Sequence, residues 1–319
     1  MAYRILRDQW FLCGVLIIAA LTLWDPGQVV VGLGKVLKQC SADNWGIACA
    51  FILSGLELKW DHFLEAIRDW KATALSLIAI FIFAPFLAWL LSFTTSSEEI
   101  RLGLMLVGVL PTTLAMGVVM TGMAGGRIAH ASLVTIFAYA ICIITIPAQL
   151  FLMIANQHLS INPDYKDMIF KLVVLVLLPL LGGMILRKPL ARSLALLPFR
   201  LNLLSRCIIL LIIFISFCNG RKSILMGGHQ IPTIFLLVIA LHLSLAGILW
   251  FILYTLRWGP GRRESVFFMG IQKTITIAVG LQAAYFPAYG LALVVCIFYH
   301  MGQLIIDSYF VSRLAAVKK

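Results

Sequence analysis

Charge is scarce in this sequence: Lys, Arg, Asp and Glu together make up 12% of its 319 residues, against roughly a quarter in an ordinary soluble domain. Acidic residues are the scarcest, thirteen against twenty-five Lys and Arg. With 62% hydrophobic residues and a mean hydropathy of +1.01, a water-soluble fold is excluded. No N-x-S/T sequon and no C-x-x-C pair occurs. Six of the seven cysteines (Cys13, Cys49, Cys142, Cys207, Cys218, Cys296) lie in apolar runs and read as small hydrophobes, so no metal or other cofactor is expected from them. G-x-S-x-G, H-E-x-x-H, a P-loop and paired intramembrane carboxylates are all missing, which argues against an enzyme. The first apolar run meets Asp25-Pro26-Gly27 with no A-x-A site, so it reads as a retained span rather than a signal peptide.

What is present is a series of apolar runs near the twenty residues that a bilayer requires. Ten spans are predicted: Gln9 to Trp24, Asn44 to Leu58, Ala72 to Phe93, Ile100 to Met123, Ile128 to Ala155, Met168 to Leu186, Leu203 to Asn219, Ile231 to Leu256, Ser265 to Phe286 and Tyr289 to Leu314. The second and seventh are short. Ten spans put both termini on one side, where sixteen Lys and Arg fall, among them Arg4, Arg68, Lys71, Arg127, Arg187, Arg262, Arg263 and Lys319. Seven fall on the other side, and Arg206 and Lys273 lie within spans, completing the twenty-five. This bias explains the net charge of +12 without a nucleic-acid partner and places both termini in the cytoplasm of a cell-membrane protein.

The halves 1–155 and 165–319 share a layout. Each has a short second span, a polar segment (KWDHFLEAIRDWK, then NGRKSILMGGHQ), a long span, an interrupted span and a closing long span. Five spans per half is odd, so the second half is inserted upside down. The fold class expected is therefore all-α and transmembrane, two inverted five-helix repeats with two broken helices. Trp60, Phe63, Leu64 and Ile67 at helical spacing suit an interfacial helix or an ordinary connecting one.

The interruptions carry the functional signal. Gly108, Pro111, Thr112 and Thr113 break the fourth span, which ends on Thr121 and a Gly pair, while Gly270, Gln272, Lys273, Thr274 and Thr276 break the ninth. Matching breaks in inverted halves expose helix ends and backbone groups that bind a solute or ion near the midplane; a proline kink that merely packs is the alternative. Lys273 either faces a cavity or snorkels to the interface. In the tenth span His300, Gln303 and Asp307 share one helical face, as a helix-joining stripe or a path lining. His130 and His242 stand among apolar neighbours and read as structural.

Leu110, Pro111 and Thr113, the run Thr121 to Gly126, Lys273-Thr274 and Phe298 to Gln303 together resemble the bile acid:sodium symporter family, nearest its seventh-member branch, over nearly the whole chain. The resemblance implies a panel of spans one, two, six and seven, a core of the other six with the fourth and ninth unwound and crossing, and alternating-access transport of organic anions. The family's sodium ligands align with Met116-Gly117, Ile80, Ala278 and Gln282, and with Thr135 in the fifth span. Most of these lack a side-chain oxygen, leaving backbone carbonyls at the breaks as the ligands a Na+ ion would find. The expected partners are a small anionic solute and the lipid bilayer. A channel or a non-transporting regulatory subunit is the alternative. From the loop bias, a reporter fused after Lys319 is expected to be cytoplasmic; an external location would remove one of the short spans and the inverted repeat with it.

Overall fold

The computed structural model describes residues 10–57, 69–114, 116–157, 163–195 and 198–316. Every regular element among them is helical. In chain order they are α1 (Trp10–Leu23), α2 (Val29–Gln39), α3 (Ala42–Glu57), α4 (Trp70–Ser92), α5 (Glu98–Val109), α6 (Met116–Met123) and α7 (Ile128–Asn156). Next come α8 (Tyr165–Leu172, continued through Val173–Leu177 into Leu178–Ala195), α9 (Pro198–Met226), α10 (Ile231–Thr255), α11 (Arg262–Ile271), α12 (Ile275–Tyr285) and α13 (Gly290–Ala316).

Seven spans among the described residues are long and apolar enough to cross a membrane: Trp70–Ser92, Ile128–Asn156, Tyr165–Leu190, Leu203–Met226, Gly228–Thr255, Arg262–Tyr285 and Gly290–Leu314. Large apolar side chains such as Trp24, Ile144, Leu236 and Phe251 are exposed; lipid tails solvate such a surface where water would not. The other three expected spans are shorter elements: α1 has 14 residues and α3 has 16, and the fourth is divided between α5 and α6. The expected interfacial helix at Trp60, Phe63, Leu64 and Ile67 lies outside the described residues, as does Gln9.

Two boundaries differ from expectation. The polar stretch after Asn219 continues α9 to Met226 instead of forming a connection. Arg221 explains this, since its guanidinium donates to the carbonyls of Thr22 (2.9 Å), Leu23 and Asp25 (3.2 Å each) at the end of α1, where carbonyls lack helical partners. Residues 29–39, apolar except for Lys35, Lys38 and Gln39, form α2, a helix outside the ten predicted spans.

The chain packs as two compact units, each drawing on both sequence halves. One comprises Met1–Glu57, Val173–Gln230 and Thr276–Val294. Here α3 lies so close to α8 that a Cβ on Gly55 would stand 2.2 Å from the Leu180 carbonyl oxygen, and one on Gly183 2.2 Å from that of Ile52. Small residues permit such backbone approach, which drives helix association in lipid. In the same unit Lys38 pairs with buried Asp43 and donates to the Ala283 carbonyl at 3.0 Å.

The other unit comprises Leu58–Leu172, Ile231–Ile275 and Val295–Lys319. Its core gathers Leu245, Leu249, Phe267, Phe268 and Ile271. At one end Asp69 caps α4 through the Ala72 amide and pairs with Arg262 at 2.6 Å and Arg127 at 3.2 Å. Arg262 also stacks on Trp258, its guanidinium carbon 3.7 Å from the ring centre. The starts of α4, α7 and α11 are thereby tied together. Gly55→Leu is expected to cost about 1–3 kcal/mol through overpacking, read as a lowered thermal transition of the purified protein, while Gly182→Ala, whose new methyl group meets nothing within 4 Å, leaves it unchanged.

Candidate functional site

The site lies within the second unit, where two helix breaks meet. Pro111 has no amide proton and cannot continue α5. Leu110 is extended there, at φ −67° and ψ 146°, and the last carbonyls of α5 are left without helical donors. The second break begins at Gln272, φ −77° and ψ 145°. A backbone bond from the Thr274 amide to the Pro111 carbonyl, 3.1 Å, joins them.

A third source of unpaired carbonyls lies in α4. Residues Ala79–Phe83 form a π turn two residues before Pro85, a usual accommodation of proline in a helix. The Ala84 amide bonds back to Ala79, and Pro85 offers no proton, so the carbonyls of Ile80 and Phe81 lack donors from their own helix. Gln149 donates to Phe81 at 2.6 Å.

Lys273 takes the rest. Its ammonium donates to the carbonyls of Ile80 (2.9 Å), Gly108 (3.2 Å) and Leu110 (2.8 Å), matching its three protons one for one. The residue is 1% exposed, and no Asp or Glu pairs with it among the described residues. The charge is held by carbonyl dipoles, two of them at the negative end of α5. Lys273 thus reaches inward rather than to a membrane interface. Gln303 clamps its backbone, accepting from the Lys273 amide at 2.9 Å and donating to its carbonyl at 2.8 Å; the same Gln303 amide nitrogen lies 3.0 Å from His300 Nδ1.

A second network starts at the neighbouring residue. Gln272 accepts from the Thr113 hydroxyl at 2.6 Å and donates to Asp307 Oδ2 at 2.9 Å. Thr113 accepts from the Gly117 amide at 2.6 Å, capping α6. Asp307 Oδ1 lies 2.9 Å from His242 Nε2, and His242 Nδ1 lies 3.2 Å from the Tyr299 hydroxyl, which donates to the Ile271 carbonyl at 3.2 Å. Gln272, His242, Asp307 and Tyr299 are all buried.

The expected site residues fall into three groups. Pro111, Thr113, Lys273, Thr274, His300 and Gln303 meet at the breaks. Thr112 and Thr121 are buried nearby in sequence, each with a hydroxyl that has no hydrogen-bond partner among the described residues, whereas Thr135 bonds back to the Ala131 carbonyl at 2.9 Å. Thr276 and Gln282 belong to the other unit, where Gln282 donates to the Phe286 and Tyr289 carbonyls at 3.0 and 3.2 Å. Sequence reasoning missed Gln272 as a hub, His242 as a polar partner and the carbonyl of Ile80. Pro85, in the middle of an apolar span, was the available signal for the last. His130 is buried with neither ring nitrogen hydrogen-bonded among the described residues.

Residues 9–316 match the model of the SBF-like CPA transporter family. The chain belongs to this family. The chain is similar to sodium/bile acid cotransporter 7-A of Xenopus laevis, 24% identical over 97% of this chain and 92% of that one. Sodium/bile acid cotransporter 7 of Mus musculus is 24% identical over 98% and 96%. A probable chloroplastic sodium/metabolite cotransporter, BASS4 of Arabidopsis thaliana, is 26% identical over 89% and 70%. This family member is accordingly a multi-pass membrane transporter, not an enzyme, and the resemblance to bile acid:sodium symporters holds. Truncating Gln303 to Ala leaves the Lys273 amide and carbonyl without partners at a cost of about 1–3 kcal/mol each; the expected result is a clear drop in thermal stability, larger than for Ser308→Ala on the exposed face of the same helix.

Proposed function

We propose that this transporter carries a small organic anion by alternating access and without a sodium ion, with Lys273 as the fixed cation of its transport site. The observation that carries the reading is the Lys273 ammonium on the carbonyls of Ile80, Gly108 and Leu110. Sodium is a hard ion that needs several oxygens to replace its water. Ile80, Met116, Gly117 and Ala278 supply no side-chain oxygen, and three carbonyls that would have to serve instead already hold an ammonium. A buried cation with no carboxylate partner leaves the breaks positive, which favours an anionic solute. The buried hydroxyls of Thr112 and Thr121 are polar groups such a solute could use.

The same reading includes ten spans as two inverted repeats, cytoplasmic termini, and a place in the plasma or inner membrane. A regulatory subunit without transport is separated by counterflow in proteoliposomes, where a carrier exchanges labelled for unlabelled anion and an inert subunit does not. For the carrier, replacing sodium by potassium is expected to change uptake little. Lys273→Ala empties the carbonyl cage. Because a hydrogen bond to a charged group is worth about 1.5–3 kcal/mol and 1.4 kcal/mol is a factor of ten, uptake should fall by roughly tenfold or more. Added Na+ or methylammonium should restore part of it. Steep sodium dependence of the wild type, or full activity of Lys273→Ala in potassium, would sink the proposal.

A further inference from the structure

Arg221 holds the end of α1 with only part of its guanidinium. Nε donates to the Thr22 carbonyl and Nη2 to those of Leu23 and Asp25, and a guanidinium has five protons to give. The two on Nη1 find no acceptor among the described residues, and no Asp or Glu there forms an ion pair with the cation. Asp25 is buried, its carboxylate accepting the Val31 amide of α2 at 2.9 Å. Lys222, exposed and next in sequence, has the same sign as Arg221. The guanidinium lines a recess of about 450 Å³ whose other walls are Ala20, Leu23, Trp24, Asp25 and Pro26. Four of those five are apolar, so the recess offers one cation to a ligand that is otherwise hydrocarbon.

The recess opens onto a lipid-facing surface. Ala20 stands one helical turn from both Leu16 and Trp24, on one face of α1, and these two are 60% and 87% exposed. Acyl chains cover such a face in a membrane. Helix α2 fixes the depth. Its 11 residues reach only about 16 Å, too short to cross. Val29, Leu33 and Val36 form an exposed apolar stripe along it, bordered by exposed Lys35 and Gln39. A helix of this kind lies in the bilayer interface, where exposed tryptophans such as Trp24 and Trp45 gather. The recess therefore stands at headgroup depth.

We infer that this recess is a phospholipid site, in which the headgroup phosphate accepts the two Nη1 protons of Arg221 and an acyl chain runs down the Ala20–Leu16 face of α1. An anionic headgroup is preferred to a zwitterionic one, because the guanidinium has no carboxylate partner of its own. The bound lipid, the end of α1 and helix α9 then share one cation. The inference requires only that the chain sits in a bilayer and is independent of what it carries.

The test is native mass spectrometry of the whole protein, stripped of lipid in a neutral detergent and titrated with dioleoyl-phosphatidylglycerol or dioleoyl-phosphatidylcholine. The first phosphatidylglycerol is expected to bind roughly tenfold more tightly than the first phosphatidylcholine, the factor that one charge-assisted contact supplies. Ala20→Phe, at an exposed position, fills the recess and leaves Arg221 in place. Arg221→Lys keeps the charge but has three protons for three carbonyls and none left for a phosphate. Both should remove most of the preference. Equal affinity for the two lipids in the wild type, or an undiminished preference in either variant, overturns the inference. Should Arg221→Lys not fold, Ala20→Phe decides alone. Glycerol 3-phosphate carries the phosphate without acyl chains; displacement of phosphatidylglycerol by an equal concentration of it would make this a site for free phosphate esters and overturn the lipid assignment.

Discussion

The organisation of the second unit depends on one interaction, an ammonium held by three backbone carbonyls. Those carbonyls are unpaired because of two prolines. Pro111 ends α5 and frees Gly108 and Leu110, and Pro85 with its π turn frees Ile80. Each proline alone would be a defect, since an unsatisfied carbonyl in lipid costs several kcal/mol. Lys273 alone would be one as well, as a bare buried charge. Brought together they cancel, which is why a lysine is tolerated in a stretch where every residue from Glu264 to Thr274 is buried.

Around this contact, Gln303 holds the backbone of Lys273 while Gln272 holds Thr113 and Asp307. Both breaks are thus pinned to α13, and through His242 to α10. Helical hydrogen bonds lost at the interruptions are replaced by side-chain amides, whose donor and acceptor sit in one planar group and mimic a peptide. The polar face of α13 therefore joins helices, whether or not a solute also passes beside it.

Much of this was legible in the sequence because its cause is local. Apolar runs marked the spans, and Pro111 with Gln272, Lys273 and Thr274 marked the breaks. The rest was hidden for physical reasons. Backbone acceptors such as Ile80 carry no side-chain signature, so the partners of Lys273 could not be read from residue types. His242 and Asp307 are 65 residues apart, and nothing in either helix alone announces the other. Helix α9 ran past its expected end because Arg221 finds acceptors on α1, far away in the chain. The fourth span was predicted as interrupted, and its halves are two separate short helices, because an extended stretch at Leu110 interrupts all the hydrogen bonds rather than bending them.

The extended backbone at Gln272 has a further consequence. In such a stretch, successive side chains point to opposite sides, so the amide of Gln272 and the ammonium of Lys273 are sent to different neighbours, Thr113 and Asp307 on one side and the three carbonyls on the other. Adding or deleting one residue between α11 and the break would exchange them, driving the ammonium among the polar side chains and offering an amide to acceptors that need three protons. Chain length here is consequently a stricter condition than side-chain identity. In this chain, insertions and deletions are accordingly confined to the connections outside the crossing.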